Sequence, residues 1–469
     1  MHKVTVIQNG RTTDLKAEHG QRLSDILMLG SADFQHPCAC KGICRKCTVI
    51  INGKKELSCR YEVKSDITVI LPDSETTEII ESANIEFSEN VAVVIDIGTT
   101  TIEGVLTDKN NNNSKIIKTL NPQRVFGADV ISRTEYCEKN GTEKMQKILL
   151  DAINGLSNKL LDSYNIEAAE KMYIAGNTAM LHTFFGEDCS GFTKSPYTPV
   201  FLEERTVPAH LLGIKKVNTV SSLPCISCFV GADIVAGLNS VGMPENNRYN
   251  LLVDLGTNAE IVLYSREKGI CTASAAGPCF EGANISCGMS AVGGAVYSYS
   301  QEHGCKTLNN EKPVGLCATG LIDVVAELIR NDIIDDTGYI EKDFRIAENV
   351  TLTQADIRQF QLAKSAVYSA ITTLIYRMGI SFRDIDKCFV TGGFASKLNI
   401  GNAILTGLLP LEIKNRISCL DNSSLDGSVK YANEKNDLTV YTKNTVYADL
   451  SSDSMFAKKF IENMHFTTY

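Results

Sequence analysis

The segment Val93-Val94-Ile95-Asp96-Ile97-Gly98-Thr99-Thr100-Thr101 decides the fold. An apolar run ends in a carboxylate, and a glycine followed by three hydroxyl residues then turns the chain. A run of this kind reads as a strand buried on both faces. Gly98 lets backbone pass close to a bound oxyanion, and Thr99, Thr100 and Thr101 offer amides and hydroxyls at that point. The pattern returns about 160 residues later as Leu252-Val253-Asp254-Leu255-Gly256-Thr257-Asn258. A third apolar run, Cys388-Phe389-Val390, leads into Thr391-Gly392-Gly393-Phe394-Ala395. One Asp-x-Gly turn carries little information, because any strand can end that way. Three such elements in order, each after an apolar strand, indicate an α/β core with a duplicated, two-lobed plan.

The three segments resemble the first phosphate, second phosphate and adenosine motifs of the actin, heat-shock-chaperone and sugar-kinase (ASKHA) superfamily. The resemblance implies a two-lobed ATPase. ATP would be held by Gly98, Thr99, Thr100 and Thr101, by Gly256, Thr257 and Asn258, and by Gly392 and Gly393. Asp96 and Asp254 are then the carboxylates that hold Mg²⁺ or orient the attacking water. Asp233 and Glu281 are further candidates for either task. Neither GxxxxGK[ST] nor GxGxxG after a strand occurs, so P-loop and Rossmann readings are unsupported.

The chain has sixteen cysteines. Most are scattered and read as small buried hydrophobes. The exception is the spacing Cys38-x5-Cys44-x2-Cys47-x11-Cys59. A 2Fe–2S cluster needs four thiolates, most of them from one tight loop, and this spacing supplies them. Ala39 and Gly42 are small enough for backbone amides to approach the cluster sulfurs. The first gap is one residue longer than in the plant-type pattern, and Arg45 stands where such loops usually have glycine. Cys40-x3-Cys44-x2-Cys47 also matches the radical-SAM spacing, but no barrel surrounds it. A lone triplet with a distant fourth cysteine is not a zinc-ribbon spacing. Cys225-x2-Cys228 is a single pair without partners and reads as core.

Around the cysteines, residues 1–72 read as a β-rich unit. Val4–Ile7 and Thr13–Leu15 flank an Asn9-Gly10 turn, Leu23–Leu29 is a short helix, and Cys47–Ile51 and Lys54–Leu57 flank Asn52-Gly53. Ile67–Leu71 is the last strand. Residues 73–90 hold six acidic residues and no basic one, which reads as an extended acidic linker. Its flexible span is roughly 25 Å, and about 60 Å at full stretch. Residues 91–250 and 251–469 are the expected lobes, with a helix or helix pair over Thr353–Met378. The net charge of −9 disfavours nucleic acid and anionic membrane as partners. The N-terminus enters a strand pattern without a signal-like apolar region, and no apolar run could span a bilayer, so a cytoplasmic location is expected.

The order of these parts, a plant-type β-grasp ferredoxin followed by an α/β ASKHA-type ATPase, resembles the reductive activators of corrinoid proteins. Further stretches share the resemblance: Asn121-Pro122-Gln123, Ala175-Gly176-Asn177-Thr178, Gly231-Ala232-Asp233, Gly277–Ala283, Cys317–Asp323 and Gln361–Lys364. The resemblance implies ATP-dependent, one-electron reduction of a Co(II) corrinoid protein to Co(I), within a methyltransferase system. The implied cofactors are a 2Fe–2S cluster on Cys38, Cys44, Cys47 and Cys59, ATP and Mg²⁺. The implied partners are the corrinoid protein and a low-potential electron donor or reductase; homodimerisation stays open. An activator of another low-potential enzyme (the 2-hydroxyacyl-CoA dehydratase type), a small-molecule kinase with a fused redox sensor, and a non-catalytic electron carrier are the alternative readings.

Overall fold

The computed structural model describes residues 1–8, 11–30, 38, 40–72, 85–88, 90–127, 129–245 and 248–466. Alternating residues build the N-terminal unit. In His2–Gln8 (β1), Val4 and Val6 point inward between more exposed neighbours. Arg11–Ala17 (β2) pairs antiparallel with it, and the Gln8–Arg11 register brackets Asn9-Gly10, a pair outside the described residues. Leu23–Gly30 (α1) follows, then Thr48–Ile51 (β3), Lys54–Leu57 (β4) and Ile67–Ile70 (β5). Asn52 (φ 47°) and Gly53 (φ 83°) give the left-handed pair that a two-residue hairpin needs. The sheet order is β2-β1-β5-β3-β4, with β1 and β5 parallel. Helix α1 buries Leu23, Ile26 and Leu27 among Val4, Val6, Val49, Ile51 and Val69, the β-grasp arrangement.

The two lobes each start from a largely apolar strand that carries one aspartate near its end. In the first, Ala92–Ile97 (β6), Thr101–Thr107 (β7) and Ile117–Leu120 (β8) form an antiparallel meander. Ala169–Gly176 (β9), Arg205–Pro208 (β10) and Val217–Ser222 (β11) extend it to the order β8-β7-β6-β9-β11-β10. In the second, the strands are Tyr249–Leu255 (β12), Ala259–Tyr264 (β13), Gly269–Ser274 (β14), Ile385–Thr391 (β15), Ile417–Cys419 (β16) and Thr445–Tyr447 (β17). Their order is β16-β15-β12-β13-β14-β17. Without the edge strands β10 and β17, the sheets have the same order and the same directions. The echo between the two Asp-x-Gly-Thr segments therefore marks a duplicated fold.

Helices Val130–Asn140 (α2), Glu143–Ser163 (α3), Thr178–Phe185 (α4) and Ala232–Val241 (α5) accompany the first sheet. Ala318–Arg330 (α6) and Gln354–Arg377 (α7) accompany the second. The long amphipathic stretch is one helix of 24 residues, opened by a capping box between Thr353 and Asp356. Within the acidic stretch, Phe87 packs edge-on against Tyr164 of the first lobe, and Ser88 N–H donates to Asp108 (2.7 Å). Residues 73–84 and 89 lie outside the described residues. Cys225 and Cys228 are buried in the first lobe, among apolar side chains.

Ser423–Glu434 (α8) departs from the linear division of the chain. It follows β16 of the second lobe, yet Leu425 and Ala432 join the first-lobe core. The crossing of α5 and α8 is close: a Cβ on Gly427 would stand 1.7 Å from the Ala236 carbonyl oxygen. Asn239 Nδ2 also donates to the Gly427 carbonyl (2.9 Å). Only glycine fits there. Gly427→Ala should force the helices apart at a cost of about 1–3 kcal/mol. Thermal unfolding followed by circular dichroism should show a lower midpoint; an unchanged midpoint would mean that the crossing is slack.

Candidate functional site: an acidic cleft between the lobes and a paired-thiol loop

Both motif carboxylates stand at strand ends. Asp96 closes β6 and Asp254 closes β12; Asp96 is buried and Asp254 half-buried, beneath a cleft between the lobes of about 560 Å³. That volume suits a small-molecule ligand. Asp96, Gly98, Thr99, Thr100, Thr101, Asp254, Gly256, Thr257, Asn258, Gly392 and Gly393 all line it, as do Asp233 and Glu281.

Several side chains invisible to motif reading hold this geometry. Asn422 and Ser424, at the start of α8, donate to the two oxygens of Asp96, each at 2.8 Å. Asn422 also donates to Glu103 (3.2 Å), which lies opposite Asp96 on β7 and pairs with Lys118 (2.8 Å). In the second lobe Glu260 lies opposite Asp254 in the same way. The duplication thus extends from Asp-x-Gly-Thr to an acid on the returning strand, a signal that was present in the sequence. Asn422 and Ser424 gave none, since only tertiary folding brings them to Asp96. The first loop is fixed by its carbonyls: Asn121 Nδ2 donates to Gly98 O (2.8 Å) and the buried Arg133 donates to Thr99 O (2.7 Å). Asn177, which caps α4, reaches Thr99 Oγ1 (3.4 Å).

Charge dominates the cleft. Burial first, and mutual repulsion second, push Asp254 up to about 7 and Asp233 to about 8, and raise Glu260 well above the usual carboxylate range. Burial lifts Asp96 to about 6, against the two hydrogen bonds that favour its ionised form. Among the described lining residues, Lys118 is the one lysine or arginine, and it already pairs with Glu103. A polyphosphate entering such a site needs a divalent cation between it and the carboxylates. Thr257 Oγ1 is buried beside the Glu281 carboxylate without a hydrogen bond of ordinary geometry, a donor suited to a phosphate oxygen. The residues fit Mg²⁺–ATP.

The cysteine loop fits its implied cluster as well. Cys38, Cys44, Cys47 and Cys59 are all buried. They form two pairs: Cys38 with Cys44 in thiol contact, and Cys47 Sγ with Cys59 Sγ at 3.3 Å. Backbone N–H groups of Gly42, Ile43 and Cys44 point at the Cys38 sulfur, and that of Lys46 at Cys44. Two thiol pairs within a cradle of amides suit a two-iron cluster, with one pair for each iron. Arg45 has φ 56°, the left-handed conformation that explains glycine at this position in similar loops. Cys40 (φ 61°) is half-buried outside both pairs.

The duplicated sheets and the cleft between their Asp-ended strands define an ASKHA-class ATPase fold. Residues 91–246 match the family model for the RACo middle region, and residues 248–469 match that for the C-terminal domain of RACo, the ASKHA domain. The chain belongs to the RACo family of reductive activators. It is 28% identical over 424 residues to the corrinoid activation enzyme RamQ of Eubacterium limosum, covering 80% of this chain and 70% of that protein. It is 22% identical over 371 residues to a [Co(II) methylated amine-specific corrinoid protein] reductase of Methanosarcina barkeri, covering 71% and 68%. A solved reductive activator for a corrinoid, iron-sulfur protein shares the fold, with a TM-score of 0.72 at 24% identity, over 99% of this chain and 98% of that one. No helix among the described residues is long and apolar enough to cross a membrane.

The raised carboxylates carry a pH signature. A carboxylate whose folded pKa exceeds its unfolded value of about 4 stabilises the fold at low pH and loses that contribution as pH rises through the folded value. For Asp96, Asp254 and Asp233 the loss sets in above about pH 4 and is complete once pH has passed about 6, 7 and 8 respectively. A cation held by these groups would bind their ionised forms, which appear as pH rises from about 6 to 8, so any increase in melting temperature given by Mg²⁺ should grow over that range. Asp254→Asn should flatten that growth. Melting curves with and without Mg²⁺ from pH 5.5 to 8.5 check this; an increment independent of pH would contradict it.

Proposed function

We propose that this chain is an ATP-dependent activase that returns an inactive Co(II) corrinoid protein to Co(I) by delivering one electron. The observation that carries the reading is the joining, in one chain of the RACo family, of a paired-thiol loop and an acidic ATPase cleft. The two relatives named above, a corrinoid activation enzyme and a Co(II) corrinoid protein reductase, support the target.

In this reading residues 1–72 are the ferredoxin domain, 73–90 a linker, and 91–250 and 251–469 the two ATPase lobes. Cys38, Cys44, Cys47 and Cys59 hold a 2Fe–2S cluster, which when bound supplies a one-electron donor near −400 mV. Asp96 and Asp254 position Mg²⁺ and the attacking water, and Asn422 and Ser424 keep Asp96 aimed. Gly98 to Thr101, Gly256 to Asn258, and Gly392 with Gly393 surround the nucleotide. Reducing Co(II) is uphill for an ordinary ferredoxin. Each ~59 mV of one-electron deficit costs about 1.4 kcal/mol, so a gap of one to a few hundred millivolts is roughly 2–7 kcal/mol. The ATPase part would offset a deficit of that size. The physiological electron donor is a low-potential carrier or reductase, and the compartment is the cytoplasm.

The test is spectroscopic and anaerobic. Reduced protein is mixed with a Co(II) corrinoid protein, with and without Mg²⁺–ATP, and the Co(I) band is followed. Growth of the band should require ATP. Cys44→Ala should abolish it, and Asp254→Asn should slow it about 10²–10³-fold, the usual effect of losing one electrostatic catalytic group. ATP turnover with no change at cobalt across several corrinoid proteins would overturn the target assignment.

A further inference from the structure

Ile43, Arg45 and Lys46 of the cysteine loop are exposed, but its thiols are not. Cys38 and Cys44 pack against Met289, Ala295 and Cys317 of the second lobe. Between them in sequence, Lys41 reaches out of the ferredoxin domain into the ATPase. Its Nζ donates to the carbonyls of Gly282 (2.5 Å), Ile285 (2.5 Å) and Gly288 (3.3 Å). Three carbonyls on one ammonium, without a carboxylate in the set, form a built socket with charge-assisted hydrogen bonds. The rim contact is ordinary by comparison: Lys46 pairs with Glu311 at 2.7 Å, and both are substantially exposed.

The socket is a stiff ring. A Cβ on Gly282 would stand 2.4 Å from Met289 N, and one on Gly288 would stand 2.3 Å from Gly282 O, so the ends of the loop touch backbone to backbone. Ser286 anchors its middle, donating through N and Oγ to the two oxygens of Asp356, each at 2.6 Å. The residue just before the ring is Glu281. Its carboxylate lies in the cleft beside Thr257 and accepts from Thr100 Oγ1 of the first phosphate segment at 3.4 Å, a long bond that a ligand can displace. Any ligand that draws Glu281 towards a cation, or repels it by its own negative charge, shifts the peptide that carries the Gly282 carbonyl. The ring is closed on itself, so it moves as a unit.

We infer that Lys41 is a latch: its ammonium, seated in the Gly282–Ile285–Gly288 carbonyl socket, holds the cluster face closed against the second lobe, and nucleotide binding opens it through Glu281. The closed form withholds the electron, since the lobe covers Cys38 and Cys44. The open form presents the cluster edge to an external acceptor. Lys41 is a positioning residue that acts on access. The inference rests on the cluster and nucleotide assignments above and is independent of the corrinoid target.

The test uses full-length, cluster-loaded protein. The visible spectrum and calorimetric binding of Mg²⁺ with a non-hydrolysable ATP analogue are recorded first; failure there would sink the site assignments themselves. With both in place, the dithionite-reduced protein is oxidised by ferricyanide in a stopped-flow instrument. The expected result is a rate at least tenfold higher with Mg²⁺–nucleotide than without. Lys41→Met, with an unaltered cluster spectrum, should be fast without nucleotide and insensitive to its addition. If Lys41→Met fails to hold the cluster, Glu281→Gln, once calorimetry shows that it still binds Mg²⁺ and the nucleotide analogue, should not respond to nucleotide. Glu311→Gln, which removes only the rim pair, should respond like the parent. A parent rate indifferent to nucleotide, or a Lys41→Met protein that keeps the parent's response, would overturn the latch.

Discussion

Buried negative charge at the ends of two apolar strands is the constraint on which the rest of this molecule depends. Asp96 and Asp254 reach the cleft because β6 and β12 are buried on both faces and can stop only where the sheets end. Asp233, Glu260 and Glu281 add to the same charge, and burial is the first cause that raises each of them. Such a cluster is costly to keep ionised. The fold offsets part of that cost by tying Asp96 to Asn422 and Ser424 on α8, a helix that crosses from the second lobe to the first-lobe core. Closing the cleft and orienting its carboxylate are therefore one structural event. A divalent cation bound there would favour the ionised forms of these carboxylates.

The second dependency runs from the cleft to the cysteine loop. Glu281 belongs to the cleft, while the next residue, Gly282, belongs to the socket that holds Lys41. One peptide bond separates a group that senses nucleotide from a carbonyl that holds the ferredoxin domain. Coupling across the two parts of the chain thus needs no long relay of side chains.

Much of this was legible in the sequence, and the reasons are physical. Strand alternation and Asn-Gly turns drew the β-grasp unit, because period-two burial and left-handed turn residues leave local marks. The Asp-x-Gly-Thr repeats pointed to a doubled lobe, because the same phosphate-cradling turn is built twice. The cysteine spacing picked out the residues that form the two thiol pairs. What stayed hidden is made by tertiary approach. Asn422 and Ser424 lie more than three hundred positions from Asp96 in the chain. Arg133 reads as an ordinary helical arginine until its guanidinium is seen on the Thr99 carbonyl. Glu103 and Glu260 could have been found by extending the repeat one strand further. Lys41 could not, because its partners are backbone carbonyls, which carry no residue identity.

The central claim is that ATP is consumed to drive an electron onto cobalt, and the ATPase rate itself tests it most directly. Steady-state hydrolysis by the cluster-loaded protein is measured alone, with a Co(II) corrinoid protein, and with the same protein in its methylated Co(III) form. The account predicts strong stimulation by the Co(II) form and none by the methylated form, since only the first needs the electron. Equal rates in all three mixtures would contradict it and separate the ATPase from the reductive step.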